Sequence, residues 1–269
     1  MNQRLSLALA VAGEHADAVA LMARRVTDRI VDVGSCQACV TDDPSLAVET
    51  ASAGKPTLVL DPFRLSEATR AQLAALPTVP GHTARFVPSI GEVYQTCAAG
   101  KLGAAGLLRI HLWQSVADRA DELLAEQLDL AIWLFGRQTP ETTYTVSRPG
   151  YTQVHLGFAP TGMALIDLDT SLPAGNDYYS LSLIGSTGAA YADDHRNMNL
   201  VWDADGSRML PTEEGQVAFR NLLAAFVGAI ASHQPSPVTW KETEVALAAA
   251  EQIASAAEQP LVVRGRTDG

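Results

Sequence analysis

An α/β half followed by an α+β half is the fold class this sequence predicts, and three observations predict it. Up to residue 88, short apolar runs alternate with helical patterns. From residue 142 onward the apolar period switches to two, the spacing of half-buried strands. Between them lies a stretch, 89–113, that closes the first pattern and opens the second. There Ile90, Val93, Tyr94 and Cys97 recur at helical spacing, and Gly100 and Gly103 break the helix. Residues 107–113 then alternate strictly, with Leu108, Ile110 and Leu112 to one side and Arg109, His111 and Trp113 to the other. The expected division is 1–88 and 89–269.

Composition narrows the class of partner. Of 269 residues 47% are hydrophobic and 18% charged, which suits a packed core rather than disorder. A formal net charge of −11 argues against nucleic acid and against an anionic membrane surface. No basic leader precedes an apolar core, and the run 5–11 is far too short to span a bilayer, so a cytoplasmic protein without a signal peptide is expected. Three cysteines cannot all pair, which fits a reducing compartment.

In chain order, residues 4–11 read as a first strand and 17–25 as a helix with Val19, Leu21 and Met22 facing inward. The turn between them is Ala12-Gly13-Glu14-His15-Ala16. A dinucleotide turn needs several glycines, so that backbone amides approach a pyrophosphate. Here one glycine remains and Glu14 adds negative charge, so an ordinary strand-to-helix turn is expected. Residues 29–33 read as a second strand. Cys36 and Cys39 form a lone Cys-x-x-Cys with no second pair or nearby histidines, and are expected as small buried thiols. A helix follows up to Ala53, then a strand over 57–60 that ends in Asp61-Pro62, then a helix over 65–76.

Several segments in this order resemble the Gfo/Idh/MocA family of sugar and polyol dehydrogenases. They are Gly100-Lys101-Leu102-Gly103 with the strand Leu107 to His111; Gly81-His82-Thr83-Ala84-Arg85-Phe86-Val87-Pro88; Leu128-Asp129-Leu130-Ala131-Ile132-Trp133-Leu134-Phe135-Gly136; and Gly185-Ser186-Thr187-Gly188-Ala189-Ala190-Tyr191-Ala192-Asp193-Asp194. The resemblance implies a Rossmann-like first domain, here shortened by several tens of residues, and a second domain with an open-faced, mainly antiparallel sheet. It implies NAD or NADP where the family activity is retained. It also implies His82, Arg85, His111, Trp113 and His155 as cleft or open-face residues. The family's catalytic lysine would fall in Leu60-Asp61-Pro62, where none occurs. Its aspartate and proton-carrying histidine, four residues apart on the long helix, fall on Glu122 and Glu126.

That long helix is expected over 116–135, ending at Gly136. Two carboxylates one turn apart can share a proton if buried. The usual exposure of glutamate instead makes Glu122 and Glu126 solvated surface charges. Strands are expected over 142–148, 152–158, 163–168, 178–184, 188–192 and 198–202, helices over 216–230 and 242–257, and a frayed tail over 264–269. The helices fit the family's C-terminal pair that returns to the first domain. A metal held by His82, His111 and His155 is a further arrangement the fold could create, though satisfied or surface histidines are commoner.

The missing glycines, lysine and histidine favour a degenerate relative without dehydrogenase activity. Such a chain would act as a ligand-binding or oligomerising partner, pairing through the open sheet with itself or with an active paralogue. An NAD(P)-dependent sugar or polyol oxidoreductase is the alternative. A cofactor-independent acid–base enzyme using Glu122 and Glu126 is a third.

Overall fold

The computed structural model describes residues 5–12, 16–27, 29–173, 177–193, 198–203, 206–210 and 214–257. The chain opens with β1 (Leu7–Ala10) and α1 (Ala16–Val26). β2 (Ala38–Thr41), α2 (Pro44–Ser52), β3 (Thr57–Val59), α3 (Glu67–Ala74) and β4 (Thr78–Pro80) complete a parallel four-stranded sheet in the order β1-β2-β3-β4. Local chemistry sets the helix starts. The Asp43 carboxylate accepts from the Ser45 and Leu46 amides with Pro44 in the first turn, and the Ser66 hydroxyl accepts from the Thr69 amide.

Two expectations fail here. The strand over 29–33 is reduced to a bridge at Ile30, parallel to Leu7, followed by a 3₁₀ turn, Val33–Ser35. The chain touches one flank of β1 at Ile30 and must reach the other flank by Ala38, so little length remains for a strand. Leu21 is 45% exposed, because α1 buries Val19, Met22 and Ala23, and a residue two places from Val19 points roughly the opposite way. The turn residues Gly13, Glu14 and His15 lie outside the described residues.

α4 (Pro88–Ala98) leads to β5 (Ala105–Trp113), and α5 (Ala120–Leu134) follows a 3₁₀ turn, Ala117–Arg119. The second sheet adds β6 (Thr142–Arg148), β7 (Tyr151–Phe158), β8 (Gly162–Asp169), β9 (Tyr178–Gly185), β10 (Ala189–Asp193), β11 (Met198–Asp203) and β12 (Gly206–Leu210). Its order is β12-β11-β10-β9-β5-β8-β7-β6, antiparallel throughout except where β5 meets β8. Apart from β12, which was not foreseen, these strands match the period-two reading to within a residue or two. Residues 194–197 and the tail over 264–269 lie outside the described residues.

One face of this sheet, carrying Leu108, Ile110, Val154, Leu156, Ala164, Ile166, Leu181 and Leu183, is fully buried against α5 and neighbouring elements. Two helices, α6 (Glu214–Ser232) and α7 (Trp240–Ala257), close the chain. α6 packs Phe219, Leu222, Leu223 and Phe226 into the core of the first sheet, beside Leu7, Val19, Met22 and Val40. α7 lies along α5. No helix among the described residues is long and apolar enough to cross a membrane.

Candidate functional site

A cleft of about 740 Å³ opens between the two sheets. Its walls come from the Asp61–Arg64 turn after β3, from Gly81, Thr83 and Ala84 after β4, from Gln114 to Val116 after β5, and from α5. Asp177, Tyr179 and Phe219 complete the lining. The first turn is made by Asp61 itself, held at φ 50° and ψ 50°, a left-handed conformation an aspartate tolerates better than most residues.

Glu122 and Glu126 both line this cleft, so the solvated-surface expectation is corrected: neither is fully exposed. α5 is packed from several sides, and the face expected to meet water meets the cavity. Glu122 is tied to two cations, Arg64 Nε at 3.2 Å and Arg119 Nε at 3.1 Å. Glu126 is different. Burial, then the negative charges of Asp129 and Asp61, push its carboxyl up to about 7 against the opposing charge of Arg119.

Directly behind the cleft wall is a buried charged network. Asp129, one turn beyond Glu126, accepts from Arg85 Nε at 2.8 Å and from its terminal nitrogen. Arg85 also reaches Glu242 of α7 at 2.7 Å and lies over the Trp133 ring, 5.4 Å from its centroid. His82 Nδ1 sits 3.0 Å from Asp129 Oδ2, off the line a hydrogen bond needs, while Nε2 bonds Thr243 Oγ1 at 2.7 Å. Burial would raise the Asp129 carboxyl, but His82 and Arg85 outweigh it and hold it low. Burial likewise opposes ionisation of Glu242, yet Arg85, Arg137 and Thr239 bring it down to about 2. His82 and Arg85, expected as cleft residues, do not line this cleft, though Arg85 borders a second cavity beside Trp133 and Arg137. Asp129 and α7 draw them inward, and they fasten the segment after β4 to α5 and α7.

His111, Trp113 and His155 stand on the sheet face opposite the core. His111 Nδ1 lies 3.0 Å from Asp167 Oδ2, Trp113 packs on Tyr178, and His155 faces Tyr144 edge-on. β8 separates the two histidines, and His82 is buried beyond the sheet. No group of three or more histidine, cysteine, aspartate or glutamate side chains among the described residues is placed to hold a metal. Cys36 and Cys39 are buried free thiols. Burial and the neighbouring Cys36 push Cys39 up to about 11.

At the level of sequence, no family model and no curated protein matches this chain. In three dimensions the match is extensive: a parallel sheet joined by this crossover to an open-faced sheet is the fold of the Gfo/Idh/MocA-type oxidoreductases, as the crossover motifs implied. The chain superposes on UDP-N-acetylglucosamine 3-dehydrogenase from Acidithiobacillus ferrooxidans with TM-score 0.78 at 16% identity, over 94% of this chain and 98% of that one. For aldose-aldose oxidoreductase from Caulobacter crescentus the values are 0.78 and 13%, over 95% and 98%. An oxidoreductase from Agrobacterium radiobacter, solved in complex with NAD⁺, L-tartaric acid and magnesium, gives 0.73 and 14%, over 95% and 96%.

The fold implies a dinucleotide at the C-terminal end of β1, where backbone amides and a helix N-terminus face the pyrophosphate. The described residues at that end do not fit one. The Ala12 amide donates to both oxygens of Asp42, at 3.2 and 3.1 Å, so a carboxylate already holds a donor at that end of the strand. A second negative charge beside it would be repelled. The strand that should form the other wall of the crevice is the bridge at Ile30.

Asp61, Gln127, Asp129 and Asp42 were not foreseen as site residues. Asp61 had a signal, since it occupies the place of the family's lysine. Asp42 had none, because its role depends on a strand pairing that sequence does not disclose.

Proposed function

We propose that the chain binds a polar, hydroxyl-bearing small molecule in the interdomain cleft and exchanges a proton with it through Glu126, without a dinucleotide. The observation that carries this reading is Glu126, a cleft carboxyl titrating near neutrality, where a proton carrier is most effective. Its neighbour Glu122 is fixed by two arginines, which separates the roles of the two acids. The test is a panel of sugars, polyols and sugar acids incubated with the full chain, with and without nicotinamide cofactors, and followed by NMR. Conversion or exchange independent of cofactor, reduced about 10²–10⁴-fold in Glu126→Gln, supports it.

The second reading is an NAD(P)-dependent sugar or polyol oxidoreductase. Its support is the likeness of fold over nearly the whole chain to dehydrogenases, one of them solved with NAD⁺. Calorimetric titration with NAD(H) and NADP(H) separates the two. We expect no saturable heat at micromolar concentration, and a micromolar constant with defined stoichiometry would establish the second reading.

The open sheet face supports an assembly role in either case. Tyr144, Met163, Ile184 and Tyr191 are exposed there among half-buried aromatic residues, an area rarely left in water. Pairing of two copies through it predicts a dimer or tetramer by light scattering, shifted to monomer in Tyr144→Glu combined with Met163→Glu.

A further inference from the structure

The lining of the cleft bears on the charge of what enters it. Both arginines of its wall, Arg64 and Arg119, turn onto Glu122. Asp61, Glu126 and Asp177 line the same space, so acids set its sign. An independent feature is Gln127. It is 2% exposed, lines the cleft, and its side-chain Oε1 accepts no hydrogen bond among the described residues. A buried carbonyl of this kind is unfavourable until something donates to it.

Excess negative charge together with an idle buried acceptor calls for a cation rich in donors. A metal ion would need acids converging on one point, and no such group exists among the described residues. Acceptors spread along a wall suit an organic cation instead, with an ammonium and several hydroxyls.

We propose that the molecule taken by the cleft carries a protonated amine, flanked by Asp61 and Glu126 and donating a hydrogen bond to Gln127 Oε1. This rests on the reading of the cleft as a small-molecule site and adds the charge of its occupant. Phosphorylated or carboxylated compounds are disfavoured by the same lining, because the cations that would meet them are already engaged by Glu122.

Three matched probes test it with the full-length chain: glucamine, its neutral counterpart sorbitol, and N-acetylglucamine, by isothermal titration at pH 8. The expected result is saturable binding of glucamine, at least tenfold tighter than either neutral compound, and weakened about tenfold in Gln127→Met. Circular dichroism and the thermal midpoint report whether that variant is folded. If it is not, the three-probe comparison on the unaltered chain decides. Equal affinity for the three probes, abolished in Glu126→Gln, overturns the amine and leaves the cleft reading standing. No binding by any of them overturns both.

Discussion

Glu126 is the residue at which chemistry and stability meet. Its carboxyl is raised from 4.5 to about 7, so the folded state prefers the proton more than the unfolded chain does. The stability of the protonated form is fully present below pH 4.5 and is lost as pH rises through 7. Glu126→Gln imitates the neutral form. It should raise the free energy of urea unfolding at pH 8 by on the order of 1–3 kcal/mol once partial solvent access is allowed for, and have much less effect at pH 5. A stabilisation equal at both pH values would mean that packing, not charge, is responsible. The sequence placed Glu126 at the position of the family's proton carrier, but not its burial. The four-residue spacing of Glu122 and Glu126 was visible, but which side of α5 faces the cavity depends on α7, the crossover and the turn after β3. α7 and the turn after β3 are distant from it in the chain.

Among the elements, α5 depends most on its partners. The Arg85–Asp129–Glu242 set joins the segment after β4, α5 and α7 with little access to water. Removing one member of a buried charged set strands the others, so Arg85→Ala should cost about 3–5 kcal/mol in denaturant unfolding. Glu242, held at about 2, contributes stability above the ordinary carboxylate range that is lost as pH falls from 4.5 toward 2. Acid unfolding should therefore begin at higher pH in Glu242→Gln, whose circular-dichroism midpoint checks this. At the join of β9 with the crossover, a Cβ on Gly185 would meet the Leu102 carbonyl oxygen at 2.0 Å. Gly185→Ala should cost about 1–3 kcal/mol and lower the thermal midpoint without altering the cleft residues. The strands of the second sheet were readable because one face is buried and turn residues separate them, which writes the period directly into the chain. The segment 29–33 misled for the opposite reason. Ile30, Val31 and Val33 have strand-like side chains, yet topology leaves them room for one bridge.

For the whole molecule, the two-part architecture was legible because the crossover carries both its glycines and its alternation within one stretch. A return of the C-terminal helices to the first domain was foreseen only through the family resemblance, and the docking of α6 against α1 was not, since nothing in residues 214–232 names the surface they cover. That docking has a consequence for how the protein is made. The core around Leu7, Val19, Met22 and Val40 is completed by Phe219, Leu222, Leu223 and Phe226, so its two contributions are far apart in the order of synthesis. At about 5–20 residues per second, a ribosome delivers the second contribution on the order of ten seconds after the first. During that interval the amino-terminal segment emerges with its greasy side bare, a natural client for a holding chaperone. A genetic split at the crossover would leave it in that condition permanently.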